Sequence, residues 1–449
     1  EMGVGIQMIY SRRPVVTAEA AEALMVRSLG SGANGIGYYM YHGGSTPKRS
    51  DGVGFFSDEP MGVPKISYDF QAPVGEFGQV RDSYRCLRLL HTFVKDFGYL
   101  LAPMQTVLPE GYEKITPADR TTLRYAVRVK DGSGFVFMTN FQDHDTARTD
   151  QTGLRLKLDL PGGPLMIPSD GTFTLKKDES VILPFNLHMD DVLLKYATAQ
   201  LLTRIEEDGC DHYIFFAPEG MDTEYCFDRQ TLKGGKHIYT PRPGLESTFM
   251  VKARSGRKIK VTTLTRAQAL NLVKLDNQVL ITSATVLPEK GKCTLLSLGE
   301  NRIGYVLYPS AAGWKQQWTE VDPVIPSVEW KKVGARRMTV RAGQPEFPQV
   351  NEYFLRINYV GDVGMAFIGG EMVLDHFYYG APWVIGMKRF RQALESNEMS
   401  FYFRPLAKDA PFMADLPGKA VPDFTGKRAV CQIRSVELIP EYRAVIRTE

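Results

Sequence analysis

Cysteine is scarce in this chain, and its spacing is not that of a metal site. Five cysteines occur among 449 residues, and no two of them form a CxxC pair. Structural zinc sites and small disulfide-rich domains both need closely spaced cysteines. We therefore expect no metal, no cofactor and no dense disulfide framework. We interpret most of the cysteines as buried apolar residues: Cys86, Cys210, Cys226, Cys293 and Cys431.

Long apolar runs and long runs of one charge are also missing. No stretch approaches the roughly 20 apolar residues that a membrane helix needs. The 54 basic residues nearly balance the 51 acidic ones, giving a net charge of +3, and no basic run is long enough to follow a phosphate backbone. We therefore expect neither a membrane span nor nucleic acid as a partner.

The first hundred residues alternate helix and strand signals. Thr17 can cap a helix with one apolar face that ends at Gly30. Residues 35–41 (GIGYYMY) form a near-continuous apolar run, which is typical of a parallel strand buried on both faces. A second helix is predicted over about 81–97, with Gly98 as its stop. This order of elements is that of a (β/α) barrel.

After Pro103 the pattern changes to short alternating strands separated by turn residues. Two hairpins are predicted, one from 123–129 and 135–141, the other from 196–205 and 213–216. A capping threonine predicts one short helix within 265–274. Further strands are predicted towards the C-terminus, at 354–360, 364–368, 372–375, 400–403 and 429–438. A β-sandwich or jelly roll is the natural closure of such strands.

Three stretches carry a family resemblance. Residues 39–44 (YMYHGG) and 67–78 (SYDFQAPVGEFG) resemble, at fitting spacing, the family 35 glycoside hydrolase sequences YMFHGGTNFG and SYDYDAPLSEAG. Residues 358–390 are similar to the jelly-roll segment of bacterial members, in which a GG turn leads to a D-x-F-Y-x-G-x-P-W run. The chain therefore resembles the downstream part of a family 35 β-galactosidase.

The resemblance implies a mixed fold, α/β plus all-β. Residues 1–105 would be the C-terminal part of a (β/α)8 TIM barrel. Residues 106–340 would form an antiparallel β region of two subdomains, and residues 341–449 a galactose-binding-like jelly roll. By the same resemblance we expect a periplasmic or extracellular protein.

The resemblance also implies a reaction. Family members release terminal β-linked galactose from oligo- or polysaccharides with retention of configuration, and they use two glutamates about 5 to 5.5 Å apart. Residues 1–7 (EMGVGIQ) match the family stretch AELGGGIQ, which places the nucleophile at Glu1. The acid/base glutamate belongs to an earlier barrel strand. We expect it, with the rest of the barrel, in an upstream segment that acts as a partner of this chain, and a homo-oligomer is the other partner considered.

Three residues match substrate-facing positions of the family: Tyr39, Tyr68 and Asp69. One of the pair Tyr68 and Asp69 can hold the loop while the other faces sugar, and the sequence does not divide these roles. Phe70 and Gln71 replace a tyrosine and an aspartate that the family often has, so a hydroxyl and a charge are lost. Such a loss bears on sugar specificity, because polar pockets discriminate by paired hydroxyls.

Other residues are interpreted as structural. Glu76 matches a family glutamate and is interpreted as a loop brace. His42 is either a sugar ligand or a structural group at a strand end. The aromatic group around Trp383 is either a sugar platform or, as we favour, sandwich core; it comprises Phe377, Tyr378, Tyr379 and Trp383.

Two non-catalytic functions compete with the hydrolase. The β domains alone could hold polysaccharide without cleaving it, or they could serve as a scaffold. The matches at 39–44 and 67–78 favour the hydrolase, because a pure binding module has no need of a barrel's substrate loops.

Overall fold

The computed structural model describes residues 2–47 and 62–448. Glu1, the predicted nucleophile, lies outside the described residues. The N-terminal region holds two helices and a short hairpin, which are α1 (Ala18–Gly30), β1 (Gly44–Ser45), β2 (Ser67–Tyr68) and α2 (Asp82–Leu101).

Both predicted helices are confirmed. The Thr17 hydroxyl accepts a hydrogen bond from the Ala20 amide and caps α1 as the sequence indicates. Helix α2 does not stop at Gly98 but continues to Leu101. A glycine inside a helix costs only about 1 kcal/mol, and Leu101 is buried in the core, so packing outweighs that cost.

The predicted buried strand over 35–41 is wrong. Only Tyr38 makes a ladder contact there, a single parallel bridge to Met2, and His42 makes another to Val74. Tyr39 is 45% exposed, so the run is not buried on both faces. A strand needs backbone hydrogen bonds to a neighbouring strand along its length. This run has such bonds only at isolated positions. A TIM-barrel part is not shown by the residues that the structure describes.

The middle region is β-structure apart from one short helix, and its strand pairs are antiparallel except for one parallel pair, β13 with β17. Its strands up to the first long hairpin are β3 (Gln105–Val107), β4 (Arg124–Lys130), β5 (Ser133–Thr139), β6 (Gln151–Leu154), β7 (Leu156–Leu160), β8 (Gly163–Ile167) and β9 (Phe173–Leu175). The following elements are β10 (Ser180–Met189), β11 (Val192–Ala197), β12 (Gln200–Glu207), β13 (Cys210–Ala217), β14 (Tyr225–Phe227), β15 (Ile238–Tyr239), β16 (Phe249–Lys252), β17 (Lys258–Thr265), α3 (Arg266–Leu270), β18 (Leu272–Leu275) and β19 (Gln278–Ile281).

Both predicted hairpins are found. Strands β4 and β5 pair antiparallel around Asp131-Gly132, and β12 and β13 pair around Asp208-Gly209. The second hairpin begins at Gln200 rather than at 196, because residue 196 belongs to β11, which pairs with β10. The predicted short helix is α3, which Thr265 and Gln268 close with a capping box.

Two sheets and the N-terminal helices share one core. One sheet has the strand order β15-β14-β11-β10-β5-β4-β3, and the other has β12-β13-β17-β16, in which β13 and β17 run parallel. Leu29 of α1 and Phe93 of α2 belong to the same hydrophobic cluster as Phe137 of β5 and Phe215 of β13. Helices α1 and α2 are thus a layer on the middle region.

The C-terminal region begins at β20. Its elements are β20 (Thr285–Glu289), β21 (Lys292–Leu298), β22 (Arg302–Tyr308), β23 (Gln317–Glu320), β24 (Ser327–Gly334), β25 (Arg337–Gly343), β26 (Val350–Val360), β27 (Val363–Ile368), β28 (Glu371–Phe377), β29 (Trp383–Gly386), α4 (Arg391–Leu394), β30 (Met399–Phe403), β31 (Leu406–Ala407), β32 (Ala429–Val430) and β33 (Gln432–Arg447). Short 3₁₀ turns lie at Tyr112–Lys114, Lys388–Phe390, Met413–Asp415 and Gly418–Ala420.

Two five-stranded sheets of this region face each other as a sandwich. Their orders are β20-β21-β33-β26-β29 and β24-β25-β30-β27-β28. Leu355 of β26 and Phe401 of β30 meet in one core between them. The boundary expected at 340/341 falls inside β25, and β20 and β21 already belong to the sandwich.

Among the helices in the described part of the chain, none combines the length and the apolarity that crossing a membrane requires.

Candidate functional site

Tyr39 and Tyr68 meet at the surface between the β1–β2 hairpin and the preceding chain. Their hydroxyl oxygens lie 2.6 Å apart. Phe70 packs its ring against both tyrosines, with ring centroids 5.4 Å from Tyr39 and 4.8 Å from Tyr68. These three residues, here called the aromatic cluster, present two paired hydroxyls beside an apolar ring.

The environment of Tyr68 makes its hydroxyl harder to ionise than that of an ordinary tyrosine, which is itself protonated at neutral pH. Burial, and then the hydrogen bond with Tyr39, raise the pKa of Tyr68 to about 12. A protonated phenol both donates and accepts hydrogen bonds at neutral pH. The tyrosine pair can therefore bind a neutral polyol.

Asp69 is engaged within its own loop. One carboxylate oxygen accepts from the Glu76 amide at 2.8 Å, and the other accepts from the Gln71 amide at 3.2 Å and from the Arg81 guanidinium at 2.6 Å. Arg81 also donates to the carbonyl of Ala72. The described contacts of Asp69 thus tie the loop to the start of α2.

Close backbone contacts hold the turn at Phe70 and Gln71. Both residues have left-handed φ angles, of 58° and 51°. A Cβ atom added at Gly43 would lie 2.6 Å from the Asp69 carbonyl oxygen, and one added at Gly5 would overlap the Phe70 carbonyl. Glycine at 5 and 43 lets three chain segments meet at this turn.

Glu76 lies beneath the β1–β2 hairpin. Its carboxylate accepts hydrogen bonds from Ser45 of β1 and from Ser67 of β2, the latter at 2.9 Å. Burial raises the pKa of Glu76 to about 7, against the opposing effect of the two serine hydroxyls. The interpretation of Glu76 as a loop brace is confirmed by these contacts.

A cavity of about 310 Å³ opens between this loop and the C-terminal sandwich. Asp69, Glu76 and Arg81 line its N-terminal side, while Arg356 and Trp383 line the side of the sandwich. A cavity of this size with charged groups and an aromatic ring has the dimensions and chemistry of a small polar ligand site.

The sandwich contributes two contacts that sequence reasoning missed. The Asp375 carboxylate accepts from the backbone amides of Lys65, Ile66 and Ser67. Arg389 donates to the Ser45 hydroxyl and lies 3.6 Å from the Glu76 carboxylate. More than 300 residues separate each pair along the chain, so no local pattern signals the contact. Asp375 is the first residue of the D-x-F-Y run, but a sequence motif does not show which distant residues its side chain binds.

The remaining candidates occupy other places. Trp383, Phe377 and Tyr378 are buried, and Trp383 and Tyr378 belong to the core of the sandwich, as the core interpretation expects. Tyr379 is half-buried, and with Phe377 and Trp383 it lines the cavity of about 310 Å³. His42 is exposed, and its imidazole contacts the backbone carbonyl of the next residue, Gly43. Within residues 2–47 and 62–448, no group of three or more histidine, cysteine or acidic side chains is placed to hold a metal.

Comparison with known proteins gives one family match. Residues 114–285 match the family described as "Beta-galactosidase, domain 2". The matched segment ends where the chain enters the sandwich at Thr285. Among solved structures, an α-xylosidase of glycoside hydrolase family 31 from Xanthomonas citri is 10% identical, with a TM-score of 0.12. That alignment covers 77% of this chain and 38% of the xylosidase, and so low a score carries no argument about fold.

The family match covers the middle region, directly after the helix that follows Tyr39 and Tyr68. Residues 114–285 therefore form a β-galactosidase-like domain.

Proposed function

We propose that the protein is the downstream part of a retaining exo-glycoside hydrolase of family 35 that releases terminal β-linked galactose. The observation that carries the proposal is the pair of tyrosine hydroxyls 2.6 Å apart, on the segment that leads into a β-galactosidase-like domain. A pyranose presents hydroxyls and an apolar face together, and the aromatic cluster offers partners for both.

In this proposal residues 1–105 are the C-terminal part of a TIM barrel. Two parallel bridges, Met2 to Tyr38 and His42 to Val74, support it, because barrel strands run parallel. Helices α1 and α2 would then be the barrel's outer layer. The C-terminal sandwich would be the jelly roll of the family.

Glu1 is the proposed nucleophile. Met2, the next residue, exchanges backbone hydrogen bonds with Gly37 and Tyr39, at 2.7 Å and 3.0 Å. In the reaction Glu1 attacks the anomeric carbon while an upstream glutamate protonates the leaving oxygen, and the glycosidic C–O bond breaks. Water then attacks the glycosyl ester, gives its proton to the same upstream glutamate and frees Glu1.

Substrate contacts go to Tyr39 and Tyr68, and Asp69 holds the loop that presents Tyr68. The contacts of Asp69 with the Gln71 amide and Arg81 support this division. Phe70 supplies apolar contact where the family often supplies a hydroxyl, so the sugar is held through fewer hydrogen bonds than in relatives with tyrosine there.

The upstream barrel segment is the proposed partner. A second cavity, of about 660 Å³, runs beside α1 and is lined by Ala20, Leu24, Leu108, Tyr112 and Tyr125. Tyr112 is 52% exposed and Leu108 39% exposed. Apolar surface of this kind beside a barrel helix suits a further packed element.

The full-length protein, carrying the upstream segment, tests the proposal. We expect it to hydrolyse aryl β-galactosides much faster than the matching β-glucosides. Glu1→Gln should lower this activity at least about a thousandfold, because an amide cannot form the glycosyl ester.

Glu19→Gln is the matched control, since Glu19 is exposed in the first turn of α1 and should leave turnover unchanged. Near-normal turnover of Glu1→Gln would place the nucleophile elsewhere. Absence of glycoside hydrolysis by the wild type would favour a non-catalytic carbohydrate-binding role.

A further inference from the structure

The segment that leads to Tyr68 is held by one carboxylate of the C-terminal sandwich. Asp375 lies in β28 and is 3% exposed. Its Oδ2 accepts from the Lys65 amide at 2.5 Å, and its Oδ1 accepts from the Ile66 and Ser67 amides at 3.1 Å and 2.9 Å. Three successive amides converge on one side chain.

This arrangement is specific to a carboxylate. Three N–H donors need acceptor capacity from both oxygens, and charge-assisted hydrogen bonds are about twice as strong as neutral ones. Burial raises the pKa of Asp375, and the three amide donors oppose that shift. An asparagine would offer one acceptor oxygen and would turn an N–H group towards amide donors.

The segment also contacts the neighbouring chain, since the Thr46 amide donates to the Ile66 carbonyl at 2.7 Å. Strand β2 has two residues, and its pairing with β1 consists of Gly44 with Tyr68 and Ser45 with Ser67. Ser67 therefore links three contacts: its amide to Asp375, its hydroxyl to Glu76 and its peptide bond to Tyr68. The Tyr68 hydroxyl then reaches Tyr39.

We infer that Asp375 is a positioning residue, through which the C-terminal sandwich sets the place of the Tyr68 hydroxyl in the substrate site. The assignment of Tyr68 to substrate rests on the proposed function. The bond network from Asp375 to Tyr68 does not, and the two are tested separately.

Hydrogen exchange tests the network without any catalysis. In Asp375→Asn, amide exchange in the peptide covering 62–71 should accelerate at least about tenfold. Asp96→Asn is the matched control, because Asp96 of α2 also accepts three hydrogen bonds, from Thr203, Arg204 and Lys274, far from this loop. Unchanged exchange in Asp375→Asn, or equal acceleration in both variants, would overturn the inference.

Enzyme kinetics of the full-length protein test the positioning role. Asp375→Asn should lower kcat/KM at least about tenfold, and adding Tyr68→Phe should then cost no more than about twofold further. In the Asp96→Asn background, Tyr68→Phe should keep its whole effect, because unconnected changes multiply. Multiplicative losses with Asp375→Asn would show that Asp375 acts on stability alone.

Two outcomes need separate treatment. If the wild type hydrolyses no glycoside, the proposed function fails while hydrogen exchange still decides the inference. If Asp375→Asn shows no cooperative melting, Asp375→Glu keeps the charge and takes its place. We expect Asp375→Glu to fold and to show faster amide exchange in 62–71 than the wild type. If its amide exchange and its kinetics equalled those of the wild type, the inference would be overturned.

Discussion

At the scale of single residues, the loop is built from acidic groups that hold backbone and hydroxyl partners. Glu76 binds two serine hydroxyls, and Asp69 binds two amides and one guanidinium. A carboxylate as buried as that of Glu76 is tolerated only with hydrogen-bond or charged partners. The hydrogen bonds of Glu76 and Asp69 therefore give these two side chains a structural role in holding the loop.

Glu76 makes stability depend on pH in a predictable direction. Its pKa rises from 4.5 to about 7 on folding, so between these values the native state binds more protons than the unfolded chain. Stability contributed by Glu76 is present at low pH and is lost as the pH rises towards about 7. Glu76→Gln removes this titration.

The variant should therefore gain stability relative to wild type, by at most about 3 kcal/mol, between pH 4.5 and pH 7.5. Denaturant unfolding at a series of pH values measures the difference. Glu19→Gln, at an exposed site, should show a flat difference. A flat difference for Glu76→Gln as well would mean that its carboxylate is not buried as described.

At the scale of elements, the stability of the β1–β2 hairpin depends on its close packing against the Asp69 backbone more than on the length of its strands. It has two residue pairs, and Gly43 beside it lies against the Asp69 backbone. Hairpins this short are not stable by their own hydrogen bonds. Contacts from outside the hairpin must therefore hold it.

Gly43→Ala should destabilise the protein by about 1 to 3 kcal/mol, because the new Cβ atom would meet the Asp69 carbonyl. Gly44→Ala is the control next to it in the chain, since its Cβ would meet nothing within 4 Å. We expect that variant within about 0.5 kcal/mol of wild type. Thermal or denaturant unfolding compares the two, and equal costs would contradict the packing described.

Local signals made some elements predictable from the sequence. Helix α1 has its cap at Thr17 and the β4–β5 hairpin has its turn at Asp131-Gly132, so both follow from neighbouring residues. The run 35–41 has strand composition but only isolated partners, and composition does not report partners. Tyr39 and Tyr68 could be brought together through the family resemblance, whereas Asp375 and Arg389 could not, because their contacts join residues more than 300 positions apart.

At the scale of the whole molecule, the C-terminal sandwich holds the N-terminal segment as well as the substrate loop. Arg13 is fully buried between the rings of Phe377 and Phe412 and pairs with Asp362 at 2.5 Å. Burial lowers the pKa of Arg13, and the charge of Asp362 opposes that shift. The first residues of the described chain are thus fixed to the last third of the sequence.

Arg13→Met should cost about 3 to 5 kcal/mol, because it removes the buried partner of Asp362 and leaves that carboxylate only the half-exposed Arg404, 3.3 Å away. Arg12→Met is the neighbouring control. Arg12 pairs with Asp415 but its side chain is 63% exposed, so a much smaller loss is expected. Denaturant unfolding would measure both, and a small cost at Arg13 would show that the sandwich does not anchor this segment.

In the proposed function, Glu1 and the tyrosine pair belong to a retaining β-galactosidase. Proton NMR of the first sugar released from an aryl β-galactoside by the full-length protein tests it most directly. We expect β-galactose first, with the α anomer appearing later by mutarotation, because two displacements restore the starting configuration. If α-galactose appeared first, a single displacement by water would be at work and Glu1 would not be the nucleophile.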